Sequence, residues 1–305
     1  MKRKTERIIW ISITSFLSLI IIGIGILVLI AYNQVQKKKN SKEASYLPLL
    51  QESQGYNDKL DLNLPSFTYQ PSNDSNLVHV RTYFNLDSVV GNGNELSQIK
   101  NLMYYMHDLV RHDGNNPLKD VSRNSISLID YCKKENVGMN CRMMAISLNE
   151  FYLAMGFPSR FVVCLPQDST DIDSHIINIV YSRDLSKWIW IDPTFAAYVA
   201  DEKNQLLNIE EVRYRLINNL PLVLNEDANW NHEKQTAKYY LKTYMAKNLY
   251  WVECLADSRY AAEDATLEDR QYIRLCPEGF SGFHYKNYIT NNPHYFWQIP
   301  DRLNQ

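Results

Sequence analysis

The stretch NCRMMAISLNEFYLAMGFPSRFVV, residues 140–163, decides the fold that this sequence predicts. Apolar side chains recur at steps of three and four residues from Ala145 to Met155, the spacing that lines one face of a helix. Gly156, followed by a proline, ends that helix. The next segment, RFVVCL at 160–165, is rich in branched residues and is typical of a short strand. The stretch thus predicts a helix that leads directly into a strand.

Cys141 stands at the start of this helix, directly after Asn140, which is a favoured N-cap residue. The macrodipole and the unpaired N–H groups of a first turn stabilise an anion, so they lower the pKa of a thiol placed there. The same N–H groups could hold the oxyanion of a tetrahedral intermediate. The alternative is that Cys141 is only a small buried apolar residue.

His175 and Asp192 stand on the two strands expected next, HIINIVY at 175–181 and KWIWID at 187–192. If these strands form a hairpin around the SRDLS loop, His175 lies opposite Asp192. Their Cβ atoms would then be about 4.5–5.5 Å apart, close enough for an imidazole–carboxylate hydrogen bond. A one-residue slip would send the two side chains to opposite faces. The alternative is a surface histidine and an aspartate that caps the following turn.

Thiol, imidazole and carboxylate in this order are what cysteine-based acyl transfer requires. A resemblance to the transglutaminase-like family of papain-type cysteine enzymes is carried by three segments, NCRMMAISLNEFYLAMGFPSRFVV, SHIINIVY and KWIWIDPTF. The matching residues are Gly156, Pro158, Arg160, His175, Asn178, Asp192, Pro193 and Thr194. The resemblance covers about residues 95–220. It implies an α+β papain-like core, with the thiol helix packed on an antiparallel sheet, and acyl chemistry on an amide through a thioester. It implies no metal and no organic cofactor.

The sequence departs from the family pattern at two positions. Ile177 and Ile179 replace the tryptophan and the glutamate that usually follow the histidine. No tryptophan lies between the apolar N-terminal segment and the cysteine, so an upstream indole cannot be the second oxyanion donor. Tyr104, Tyr105 and Asn136 are open candidates for that donor.

Four further residues are candidates for supporting roles. We expect Asn140 and Asn178 to support the oxyanion or the triad. Trp188 and Trp190 alternate with isoleucines and would form either core or the wall of a substrate pocket. The other cysteines we expect to be structural, and a Cys254–Cys276 disulfide is possible if the domain lies outside the cell.

The remaining pattern predicts further elements around this core. LVHVRTYFNL at 77–86 resembles a strand, whereas 94–112, 125–134 and 209–219 carry helical periodicity. The aromatic and charged region after residue 225 predicts one helix near 232–256.

An uncharged run, residues 8–32, is about 37 Å long as a helix and could span a bilayer core of about 30 Å. It predicts a transmembrane signal anchor with a cytoplasmic tail at 1–7 and the remaining chain extracytoplasmic; a cleaved signal and a secreted product is the alternative. A polar, proline-containing stalk would follow at 33–76. The transglutaminase-like domain would cover 77–225, with an aromatic-rich extension packed on it at 226–305.

Charge and cysteine content exclude several classes of protein. A net charge of −2 and a pI near 6.4 give no basic field for nucleic acid. Five cysteines without a C-x-x-C pair indicate neither a disulfide scaffold nor a structural zinc site. The sequence therefore predicts a membrane-anchored cysteine enzyme acting on amide or peptide bonds of a protein or peptide. Its alternative is a non-catalytic binding or scaffold domain with the same fold.

Overall fold

The chain divides into two compact units, residues 1–46 and 47–305. The structure is a computed structural model that describes residues 20–33, 46–59, 62–116, 118, 120–168, 170–266, 268–280 and 288–300. In the first unit, residues 20–33 are helical and exposed. The earlier part of the predicted anchor, 8–19, lies outside the described residues. Across the described ranges, no helix has both the length and the apolar composition that crossing a membrane requires.

The second unit begins before the end of the predicted stalk. Residues 46–51 are helical, and Leu50 is buried. The Gln51 side chain donates to the carbonyl oxygen of Ile217 at 3.1 Å. Strand β1, Thr68–Tyr69, pairs in parallel with β10, Asp257–Ser258. A segment predicted to be a polar linker thus packs against the domain, because its few apolar residues find partners far along the chain.

Six further helices of the described residues come before and beside the main sheet. They are α1 Ser75–Tyr83, α2 Leu86–Val90, α3 Glu95–Leu109, α4 Ser125–Glu135, α5 Cys141–Ala154 and α6 Ile209–Ile217. Helices α3 to α6 fall where the periodicity predicts them, and each begins after an asparagine whose side chain accepts a backbone N–H. Such caps satisfy donors that a helix start would otherwise leave unpaired.

The first predicted strand is wrong, because residues 75–83 form helix α1. Leu77, Val80 and Phe84 are buried at steps of three and four, so they share one helical face. Asp74 caps the helix by accepting the N–H of Asn76 at 2.9 Å. The branched residues of LVHVRTY favour a strand locally, but packing of the apolar face decides the outcome.

A six-stranded sheet forms the centre of the domain. Its order is β12 Tyr288–Thr290, β11 Tyr272–Leu275, β9 Trp251–Leu255, β2 Ser159–Leu165, β3 His175–Ser182 and β4 Lys187–Ile191. All neighbours are antiparallel except β11 and β12. Three short two-stranded pairings involve β1–β10, β5–β6 (Val199–Ala200 with Val223–Leu224) and β7–β8 (Asn229–Trp230 with Glu233–Lys234).

The two faces of the sheet bury different clusters. Ile176 and Ile189 lie with helices α1 to α5 on one face. Ile177 and Trp190 lie on the other face with α6 and the C-terminal region. The fold is therefore the predicted α+β core, with the cysteine helix on an antiparallel sheet.

The region after residue 225 completes this sheet instead of packing outside it. Strand β9 pairs directly with β2, and β11 and β12 extend the sheet beyond it. The single helix predicted near 232–256 is shorter and irregular: α7 Ala237–Tyr239, a π-helix Tyr240–Met245 and α8 Ala246–Asn248, after which β9 begins. A last helix, α9, covers Pro293–Phe296.

Candidate active site

Cys141 is the first residue of α5, as the sequence predicts. The side-chain oxygen of Asn140 accepts the N–H of Met143 at 3.1 Å, and the backbone carbonyl of Asn140 accepts the N–H of Met144 at 3.1 Å. The first turn also carries the N–H groups of Cys141 and Arg142, which have no acceptor among the described residues. Asn140 therefore supports the site as an N-cap, and the thiol lies where a helix start favours an anion.

His175 and Asp192 are joined by a hydrogen bond of 2.7 Å between Nε2 and Oδ2. Both side chains are buried. The strand register is not the predicted one, because Asn178 pairs with Ile191, two residues away from the expected alignment. A shift by an even number of residues keeps both side chains on one face of the sheet. His175 therefore reaches Asp192 as a diagonal neighbour. The contact was predictable from the side-chain period, while the exact register depended on the turn.

The Asp192 carboxylate is held by four donors. Oδ1 accepts the backbone N–H groups of Thr194, at 2.8 Å, and Phe195, at 3.4 Å. Oδ2 accepts His175 and also the hydroxyl of Tyr240, at 2.6 Å. The backbone of Asp192 forms an isolated bridge with Ala197, which fixes the turn after β4. Four hydrogen bonds fix the carboxylate in one position, from which it can orient the imidazole.

The π-helix supplies two aromatic residues that the sequence analysis does not single out. Tyr240 donates to Asp192 and accepts the indole N–H of Trp190 at 3.0 Å. The Tyr244 ring lies 5.1 Å from that of His175, centroid to centroid, and Phe195 lies 5.5 Å from it. Short π-helical turns occur often at functional sites, because the extra residue redirects side chains. No local pattern in this Tyr-rich segment indicates the distortion.

The polar atoms of the imidazole define its two ends. The Nε2 atom of His175 faces Asp192, so the Nε2–H group donates to the carboxylate. Nδ1 is buried, and none of the described residues provides it with a hydrogen-bond partner of ordinary geometry. The Cys141 sulphur is close enough to interact with this ring and with the backbone N–H of Ile176. The imidazole thus lies between carboxylate and thiol.

The surroundings of Cys141 lower the pKa of its thiol to about 6. Burial acts to raise that pKa, but hydrogen bonds with His112 and His175 and the charge of His175 outweigh burial. For His175, burial acts to lower the pKa, while Asp192 and then Cys141 raise it to about 10. These values belong to the coupled pair. At a pH between these two pKa values, the stable form of the pair is a Cys141 thiolate beside a His175 imidazolium.

The other four cysteines have the opposite electrostatic setting. Burial raises the pKa of Cys132 and of Cys254 to about 11 and that of Cys276 to about 12. The pKa of Cys164 lies well above its ordinary value, first because of burial. All five cysteines are free thiols, so Cys254 and Cys276 form no disulfide. Cys141 alone among them favours the thiolate near neutral pH.

His112 also lies beside Cys141, because its side chain is within hydrogen-bonding reach of the thiol. The segment around it forms a parallel bridge with Met139, two residues before the thiol. Trp230, more than a hundred residues later, donates its indole N–H to His112 Nδ1 at 2.9 Å. A contact between such distant segments has no signal in the local sequence.

Two residues expected to support or line the site serve elsewhere. Asn178 donates to the carbonyl of Ala145 at 2.9 Å and so ties α5 to the sheet, on the face opposite His175. Trp188 is buried, donating to the carbonyl oxygens of Trp297 and Gln298, and its ring lies over the Arg160 guanidinium.

Trp190 is also buried in the core, which is the first of the two alternatives that the sequence leaves open for both tryptophans. The alternation along β4 turns its even-numbered side chains toward the C-terminal cluster, where the protein is filled. Trp190 still affects the site indirectly, through Tyr240.

Two of the three candidate oxyanion donors from sequence have other partners. The Tyr104 hydroxyl interacts with Asp227 and Tyr198. Tyr105 donates weakly to the carbonyl of Phe84 at 3.4 Å. Asn136 ends α4 in a left-handed conformation.

One group of potential metal ligands lies among the described residues: His107, Asp108 and His232. His107 is buried and its two nitrogens already face the carbonyl of Pro193 and the Asn229 side chain, each at 2.9 Å. A metal ion would have to break one of these bonds, so the donor set does not fit a metal centre well.

One family model matches part of this chain. Residues 84–193 match the model of the transglutaminase-like superfamily core. No curated protein matches the chain significantly. Among solved structures, it is similar to the crystal structure of a proposed cysteine protease from Cytophaga hutchinsonii, with 18% identity and a TM-score of 0.29. That match covers 45% of this chain and 43% of the other, so it spans less than half of that protein.

The matched range begins at the end of α1 and ends just after Asp192, and so contains α3 to α5 and β2 to β4. Residues 84–193 of this chain are thus similar to the core of the transglutaminase-like superfamily.

Proposed function

We propose that this protein is a cysteine enzyme that cleaves or transfers the acyl group of an amide or peptide bond. The observation that carries the proposal is the thiol of Cys141 at a helix start beside a buried imidazole that is itself bound to a carboxylate. A superfamily fold does not fix a reaction, so the reaction is argued from these three side chains.

The chemistry assigns one task to each residue. The Cys141 thiolate attacks the carbonyl carbon, and the carbonyl π electrons move to the oxygen. His175 gives its proton to the leaving nitrogen as the C–N bond breaks, which leaves a thioester on Cys141. Asp192 holds the imidazole and stabilises its charged form without taking the proton. Water then resolves the thioester in a peptidase or deamidase, and an amine does so in a transglutaminase.

Thiol labelling tests the proposal directly. Iodoacetamide at about pH 7 should alkylate Cys141 well before the other four cysteines, since a thiolate is the reactive species. His175→Ala should slow this labelling, and Cys141→Ala should abolish it and also abolish release of nitrophenol from p-nitrophenyl acetate. Equal labelling of all five cysteines would favour the alternative, a scaffold domain without a working nucleophile.

We also propose that residues 8–32 anchor the protein in a membrane, with residues 47–305 extracytoplasmic. The uncharged run in the sequence supports this. Carbonate extraction of the membrane fraction should leave the full chain in the pellet, and an impermeant protease should digest the domain in spheroplasts. Complete extraction would remove the anchor, whereas protection from the protease would reverse the orientation.

A further inference from the structure

The tetrahedral intermediate of the proposed reaction needs two donors, and the helix start supplies only one side of the oxyanion site. The backbone N–H of Cys141 is free for this use within the described part of the chain, since the cap takes the N–H groups of Met143 and Met144. The chain lacks a tryptophan in the usual upstream position. A side chain near the thiol can supply a donor from the other side of the oxyanion.

His112 is fixed next to the thiol by its backbone. Asp113 donates its N–H to the carbonyl of Met139 at 2.8 Å, and Met139 donates to the carbonyl of Arg111 at 3.1 Å. The Asn231 side chain closes the other edge, accepting the His112 N–H at 2.8 Å and donating to its carbonyl at 3.0 Å. The His112 backbone is thus held on both sides, as preorganised donors must be.

Trp230 determines which nitrogen of His112 can donate. An indole N–H can only donate, and it points at His112 Nδ1 at 2.9 Å. Nδ1 is therefore an acceptor without a proton, so the proton of the neutral ring is on Nε2. This arrangement excludes His112 as a second general base or a metal ligand, because its free lone pair is already used. It leaves Nε2–H as the donor of the ring, and the His112 side chain has a hydrogen-bond interaction with the Cys141 thiol.

Gly114 lies beside the Cε1–Nε2 edge of the ring. A Cβ on Gly114 would lie 3.4 Å from His112 Cε1 and 4.0 Å from Nε2. The Trp230 ring packs against the other part of the imidazole, with centroids 6.0 Å apart. The ring thus lies between Gly114 and Trp230.

We propose that His112 is a catalytic residue that donates its Nε2–H to the oxyanion, opposite the backbone N–H of Cys141, and that Trp230 is the positioning residue that selects this tautomer. The inference rests on the proposed cysteine chemistry. When Sγ bonds to the carbonyl carbon, the negative charge on the carbonyl oxygen is shared by these two donors. His112 keeps its proton throughout, and His175 alone transfers one.

Two reactions of the same thiol separate this role from a structural one. Acylation by p-nitrophenyl acetate passes through a tetrahedral oxyanion, whereas alkylation by iodoacetamide displaces iodide without one. Both are measured on the full chain at about pH 8, between the two pKa values of the pair. His112→Ala should slow the acylation burst by about 10²–10³-fold. Its alkylation rate should change by less than about threefold, because most of the thiol stays ionised.

Three further variants keep the test sharp if His112→Ala folds poorly. His112→Gln can still donate and should keep more acylation than His112→Ala. Trp230→Phe keeps an aromatic ring but loses the indole N–H, and should slow acylation without slowing alkylation. Tyr104→Phe removes a hydroxyl that interacts with Asp227 and Tyr198, and as the control it should change neither rate.

The outcomes are distinct. An equal fall of both rates in His112→Ala and Trp230→Phe, or no fall in either, overturns the role of His112 while the nucleophile stands. A wild type that shows neither an acylation burst nor selective alkylation removes the proposed function, and this inference with it.

Discussion

At the scale of single residues, the site depends on the charge separation between Cys141 and His175. The pKa of the thiol is lowered to about 6, and that of the imidazole is raised to about 10. Below the first value the thiol is protonated and does not attack; above the second the imidazolium is lost and the leaving group receives no proton. The rate of amide or anilide cleavage should therefore be bell-shaped in pH, with limbs near these values. A single sigmoid near the ordinary thiol pKa would contradict the ion pair.

The carboxylate of Asp192 should matter through orientation. Asp192→Asn replaces an acceptor of the His175 proton by an amide, which favours the wrong tautomer. We expect acylation to fall on the order of 10³–10⁴-fold while the domain stays folded. Tyr240→Phe keeps the carboxylate and loses one donor to it, so its effect should be nearer tenfold. Burst kinetics with p-nitrophenyl acetate measures both variants, and equal losses would contradict this ranking.

At the scale of elements, the N-cap of α5 links stability to reactivity. Asn140→Ala removes the acceptor for the Met143 N–H and should lower the free energy of unfolding by about 1 kcal/mol. It should also raise the pKa of Cys141, because the helix start is less well ordered around the thiolate. Urea denaturation and the pH dependence of alkylation check the two effects. Asn140→Asp, which still caps, is the control and should restore most of the stability.

The elements also show how far the sequence alone could lead. The α5 helix, its cap and the two strands after it follow from periodicity and cap residues. The His175–Asp192 pair follows from the two-residue period of strands, although the register was off by two. Helix α1 was predicted as a strand because its branched residues favour strands locally. Burial of its apolar face stabilises the helix instead. Tyr240 and His112 could not be found, since each reaches the site through contacts with distant segments.

At the scale of the whole molecule, the sheet crosses the boundary that the sequence predicts at residue 225. Strand β9 pairs with β2, the strand that neighbours β3, and Tyr240 precedes it on the same segment. Strand β11 then pairs with the other edge of β9, and β12 pairs with β11. The superfamily match ends at residue 193, so this completion of the sheet lies beyond the matched core. The site thus depends on parts of the chain that lie beyond its three catalytic candidates.

Truncation should reveal this dependence. A chain of residues 47–225 loses β9, the core residues Trp251 and Cys254, and the Tyr240 contact with Asp192, so it should show no cooperative unfolding transition. A chain of residues 47–305 keeps every contact of the second unit and should unfold cooperatively, with Cys141 still selectively alkylated. Calorimetry and iodoacetamide labelling compare the two. A cooperative transition in the shorter chain would mean that the aromatic-rich region is a separable extension after all.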